Sequence, residues 1–157
     1  MEPKIGISAA NRKKIAEVLS GVLADEFLLY LKTRNAHWNV EGADFHAMHT
    51  FFEEQYNQLD ETMDEVAERI RMLGHYAPAT IKAYQQLTHL SEASRAKNDS
   101  TGFIKELLND HESIIEHLRE NVNRVANDWK DVGTSDFLTG LLETHEKMAW
   151  MLRAHLG

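Results

Sequence analysis

Residues 45–73 read FHAMHTFFEEQYNQLDETMDEVAERIRML, and this stretch decides the fold. Phe45, Met48, Phe52, Tyr56, Leu59, Met63, Val66, Ile70 and Leu73 recur at spacings of three and four. Side chains at that period line one face of an α-helix, so the stretch predicts a long amphipathic helix, with Asp44 placed to cap it and Gly74 to close it. Upstream, Ile15, Val18, Leu19, Val22, Phe27, Leu28 and Leu31 repeat the pattern and predict a first helix from about Ala9 to Ala36. Downstream, Pro78 and the mixed polarity around Ile81, Tyr84 and Leu87 mark a connection from His75 to Asn98 that holds one short helix. Asn98, Asp99 and Ser100 offer caps for a third long helix carrying Phe103, Leu107, Ile114, Leu118, Val122 and Val125. Gly133, Thr134 and Ser135 separate it from a fourth that carries Phe137, Leu141, Met148 and Met151.

Four long helices with a lengthened second-to-third connection predict an all-α four-helix bundle with one crossover, the ferritin-like topology, occupying residues 1–157 as a single domain. With 157 residues, 43% of them hydrophobic, the chain can bury one core. The absence of cysteine removes disulfides, thiolate zinc sites and iron–sulfur clusters, so any metal chemistry must use His, Asp and Glu. The opening residues hold no apolar leader, and Phe27 to Leu31 is too short to span a bilayer, so the expectation is a soluble, cytoplasmic protein. A net charge of -8 disfavours an unaided grip on nucleic acid and favours attraction of cations.

The second helix carries two ligand-like pairs, His49 with Glu53 and Asp64 with Glu68, each four residues apart on one face. They fall within a sector roughly 100° wide that flanks the apolar stripe instead of opposing it. Glu53 and Asp64 are nonetheless roughly 16 Å apart along the helix at about 1.5 Å per residue, too far for one ion. An antiparallel copy of the same helix, packed about a two-fold axis near Gln58, would bring Glu53 of one chain level with Asp64 of the other and create two equal sites. Imidazole with carboxylate suits iron, manganese or zinc, and open positions favour redox iron. Ordinary surface pairs on an acidic helix account for the same spacing at this point.

His37 adds a third imidazole in Asn35-Ala36-His37-Trp38-Asn39-Val40, followed by Gly42, His49, Phe52-Glu53-Glu54-Gln55-Tyr56, Asp64 and Ala67-Glu68-Arg69-Ile70. This series, of the form His-x11-His-x3-Asp/Glu-x10-Asp-x3-Glu, resembles the Dps family, the DNA-binding proteins from starved cells or miniferritins. The likeness runs from near Ile5 to Leu156, including Ala77-Pro78 and Thr134-Ser135-Asp136-Phe137-Leu138-Thr139. It implies iron ligands His37, His49 and Glu53 from one subunit and Asp64 and Glu68 from its two-fold mate. It implies a ferroxidase that oxidises Fe(II), preferably with hydrogen peroxide, and stores Fe(III) mineral in a hollow dodecamer, protecting DNA from oxidative damage. The fit departs at Glu53, where an Asp is common. None of the nine histidines follows a Glu by three residues, so the Glu-x-x-His pairs of an intrasubunit di-iron centre are absent.

By the same resemblance Trp38 lies beside the iron site as an auxiliary electron donor, and Asp131 and Asp136 lie near a three-fold pore that admits iron. Capping explains the two aspartates as well, and packing explains Trp38. His46 reads as a surface histidine, while His111, His117, His145 and His155 have no metal spacing. Met148, Trp150 and Met151 read as packing residues. DNA-binding members generally use a Lys/Arg-rich tail, whereas the clustered cations here are Lys4, Arg12, Lys13 and Lys14, so DNA contact is expected to be weak. The competing readings are an architectural protein that compacts DNA with secondary iron chemistry, and an immunity antigen-like or adhesive relative that shares the fold.

Overall fold

The computed structural model describes residues 2–92 and 97–157. Five helices follow one another among these residues, α1 (Ala9–Asn39), α2 (Phe45–Met72), α3 (Ile81–Leu87), α4 (Ser100–Asn127) and α5 (Val132–Ala154). The expected order of four long helices and one short one is present. No described helix is long and apolar enough to cross a membrane.

Short links make α1–α2 and α4–α5 antiparallel hairpins, and the two hairpins pack through α1 against α4 and α2 against α5. After the connection that follows α2, the Glu41 N–H donates to the Asn98 carbonyl at 2.9 Å and so places the start of α4 beside the start of α2. This connection is fastened to α1 by buried charge. Asp25 accepts from the Thr88 hydroxyl at 2.7 Å and the His89 N–H at 2.6 Å. Lys32 donates to the Ser91 carbonyl at 2.9 Å while pairing with Asp110 at 2.5 Å and Glu106 at 3.1 Å.

The stripe read on α2 is buried at Met48, Phe52, Tyr56, Leu59, Val66 and Ile70, and it meets Ile15, Leu19 and Leu29 of α1, Leu107, Ile114 and Leu118 of α4, and Leu138 and Leu152 of α5 in one core. Phe45 departs from the expectation. It is 45% exposed and lies over the His49 ring, with centroids 5.2 Å apart. Trp150 is exposed too, not packed inside. The last helix begins before Gly133, because Asp131 caps it and accepts from the Thr134 N–H at 2.9 Å.

A buried polar chain also runs between helices of the bundle. Glu26 of α1, His111 of α4 and His145 of α5 have no exposed surface and form one hydrogen-bonded chain. His145 Nε2 lies 2.6 Å from Glu26 Oε1, and His145 Nδ1 lies 2.9 Å from His111 Nδ1. Three protons satisfy both links with no net charge. With His111 neutral, its Nδ1 is then the acceptor wherever the proton shared by Glu26 and His145 sits. Burial and the neighbouring His145 hold His111 well below the usual histidine range, in keeping with that role.

Candidate metal centre

His37 lies in the last turn of α1 and His49 in the first turns of α2, and the turn between them brings the two together. Gly42 has φ +131°, a region that side-chain-bearing residues rarely adopt, and a Cβ there would approach Asp44 Oδ1 at 3.2 Å. The two imidazoles stack with centroids 3.7 Å apart. Each ring also binds the other residue's backbone. His37 Nδ1 is 2.8 Å from the His49 carbonyl, and His49 Nδ1 is 2.8 Å from the His37 carbonyl.

A carbonyl oxygen only accepts, so both rings must carry a hydrogen on Nδ1, which in an uncharged imidazole leaves the lone pair on Nε2. Such an outer hydrogen bond fixes the tautomer and orientation of a metal-binding histidine. His49 at the same time satisfies a carbonyl at the end of α1 that the helix itself leaves unpaired.

Glu53 stands one turn beyond His49 and is exposed. Its Oε1 accepts from the Tyr56 hydroxyl at 3.2 Å. Tyr56 is buried, and burial followed by the bond to Glu53 raises its pKa, so the phenol keeps its proton. Its ring meets His37 edge-on at 5.1 Å. The Arg34 guanidinium lies 3.9 Å from the Tyr56 ring centroid and 5.7 Å from that of Trp38. Trp38 is exposed at this end of α1.

Asp64 and Glu68 are exposed further along α2, and the chain does not bring them to the histidines. Among the described residues no three His, Cys, Asp or Glu side chains of one chain are gathered to hold a metal ion. The single chain thus presents two separated groups, His37, His49 and Glu53 at one end of α2 and Asp64 and Glu68 at the other.

Asp131 is buried, and besides capping α5 it accepts from the Thr134 hydroxyl and lies 3.4 Å from Arg69 of α2. Its carboxylate is engaged in joining α2 to α5. Asp136, one turn on, is exposed, as is His46. Of the cations near the start of the chain, Arg12 is buried, donates to the Ile7 carbonyl at 2.7 Å and lies 3.8 Å from Glu2. Lys13 lies 3.9 Å from Glu17.

Sequence reasoning missed the chain of Glu26, His145 and His111. The three residues come from three helices and share no spacing, so only the packed bundle shows them as neighbours.

Comparison with known proteins gives a consistent picture. A family model described as a ferritin-like domain matches residues 16–157. DNA protection during starvation protein 2 of Bacillus anthracis is 36% identical over 145 residues, covering 92% of this chain and 98% of its own. A low temperature-induced protein of Nostoc is 41% identical over 152 residues, covering 97% of this chain and 85% of its own. Among solved structures, a Dps protein from Vibrio cholerae O1, described as a member of a broad superfamily of ferritin-like diiron-carboxylate proteins, superimposes with a TM-score of 0.92 at 29% identity, covering 99% of this chain and 97% of that one.

Proposed function

Because the chain belongs to the ferritin-like family and, within it, to the Dps proteins, we propose that it is a ferroxidase that oxidises Fe(II) with hydrogen peroxide between two-fold mates and stores Fe(III) mineral inside a hollow dodecamer. The observation that carries this reading is the reciprocal pair of bonds between each Nδ1 and the other residue's carbonyl, which readies both His37 Nε2 and His49 Nε2 as ligands. His37, His49 and Glu53 bind iron from one subunit. Asp64 and Glu68 of the partner subunit complete the site, the antiparallel placement of α2 about a two-fold axis closing the gap that one chain leaves open.

The substrate iron gives up its electrons at this site. Two Fe(II) ions supply two electrons to one peroxide, the O–O bond breaks, two protons are taken up, and two water molecules leave. Carboxylates favour the more highly charged Fe(III) product. Consuming both reactants together denies them to hydroxyl-radical chemistry, which protects DNA without contact. Trp38, exposed beside Arg34, is the auxiliary electron donor when peroxide exceeds bound Fe(II). Asp136 is the exposed carboxylate proposed for iron entry, with Asp131 fixing the helix start that presents it.

An anaerobic Fe(II) titration of the assembled protein, followed by peroxide or oxygen and read by absorbance with the mass of the assembly, tests this proposal. The expected result is saturable Fe(II) binding, fast oxidation by peroxide and slower oxidation by oxygen, on a particle of twelve chains. Stoichiometric peroxide that leaves the iron reduced would overturn it.

A further inference from the structure

We infer that Tyr56 is a positioning residue of the iron site, its hydroxyl holding one oxygen of the Glu53 carboxylate so that the other is turned to the metal. This rests on the ferroxidase reading above and adds to it how a long, exposed side chain is made a directed ligand. Glutamate on a helix surface has three rotatable side-chain bonds and many rotamers, and ordering it costs entropy. Tyr56, three residues on and so on the same face, supplies a fixed donor at 3.2 Å from Oε1.

The phenol is itself held on three sides. His37 packs edge-on at 5.1 Å, Arg34 covers the ring at 3.9 Å, and Tyr30 meets it edge-on at 6.1 Å while accepting from Arg34 Nε at 2.9 Å. The ring that touches one histidine of the pair thus also sets the carboxylate, and the spacing between Glu53 and His37 becomes a property of packing instead of chance. A carboxylate with one oxygen committed to an O–H donor binds through the other, which favours one-oxygen coordination over chelation.

The test is a Co(II) titration of assembled, iron-free protein, read by visible absorption and by calorimetry, for wild type, Tyr56→Phe, Glu53→Asp and the double variant. Tyr56→Phe keeps the ring and its packing and removes only the donor. It should weaken Co(II) binding about tenfold, the scale of one hydrogen bond to a charged group, and alter the Co(II) absorption bands while melting temperature and particle mass stay unchanged. Glu53→Asp withdraws the carboxylate by about one C–C bond, roughly 1.5 Å, beyond the reach of the phenol. In that background Tyr56→Phe should have no further effect, a non-additive cycle.

A Tyr56→Phe variant indistinguishable from wild type in affinity and spectrum, or effects that simply add in the double variant, would overturn the inference while leaving the ferroxidase reading intact. Co(II) binding that survives His37→Ala/His49→Ala in the assembled protein would overturn the ferroxidase reading and this inference with it.

Discussion

Replacing His145 with leucine should be among the most damaging single changes in the bundle. His145 has no exposed surface and joins Glu26 Oε1 at 2.6 Å to His111 Nδ1 at 2.9 Å. Its loss strands the Glu26 carboxyl, whose Oε2 already lacks a partner, and leaves both ring nitrogens of His111 without one. Removing one member of a buried pair of this kind costs about 3–5 kcal/mol, because the other stays desolvated and unpaired. For a chain of this length each kcal/mol moves the melting temperature by about 2–4 °C, so the fall should be about 6–20 °C. The assay is calorimetry of the assembled protein at one fixed concentration, since assembly contributes to apparent stability. The companion variant Glu26→Leu/His145→Leu replaces both partners with apolar groups and should recover most of the loss. A His145→Leu variant within about 1 kcal/mol of wild type, or a double variant less stable than the single, would refute the reasoning.

Acid should act on the same chain of residues. His111 is held neutral in the fold by burial and by His145, so between its lowered folded pKa and the usual unfolded value of about 6.5 the unfolded chain binds the extra proton and stability falls as pH falls. Melting curves from pH 7 to pH 5 should show this loss, and His111→Gln should flatten it. Asp131→Ala should cost about 1–2 kcal/mol through the lost cap of α5, seen as a lower melting temperature, whereas Asp136→Asn should leave stability unchanged and slow iron uptake at low Fe(II), more so at low salt. Anisotropy titration with random duplex at about 0.15 M salt, where the screening length is about 8 Å, should show weak binding, because the net charge is -8 and Arg12 is buried.

The α2 register was legible because that helix has one dry face and one wet one, so its apolar residues recur at a regular period and His49, Glu53, Asp64 and Glu68 stand beside them. The start of the bundle was less so. α1 is covered by α2, α3 and α4 and buries charged as well as apolar residues, Asp25 and Glu26 among them, so its pattern stops short and the helix runs on to Asn39. Gly133 reads as a breaker but sits in the first turn of α5, where Asp131 decides the boundary. His37 and His49 were legible as ligand types, while the exchange of ring N–H groups for backbone carbonyls depends on how tightly the turn at Gly42 closes. Asp131 and Asp136 read alike in sequence, each a pore carboxylate or a cap, and the burial of Asp131 against Arg69 and Thr134 is what sets it apart as the cap of α5.

The claim that one iron site is built from two chains is tested most directly by mixing subunits. His37→Ala/His49→Ala protein and Asp64→Ala/Glu68→Ala protein are each expected to be inactive as homomers, since every site lacks ligands. When the two are unfolded together and co-assembled, a mixed pair has one site carrying all the lesions and one carrying none. The account predicts that the mixture regains Fe(II) oxidation with peroxide, in proportion to the share of mixed pairs. Co-assembled particles, confirmed as mixed by mass, that show no more oxidation than either parent would contradict it.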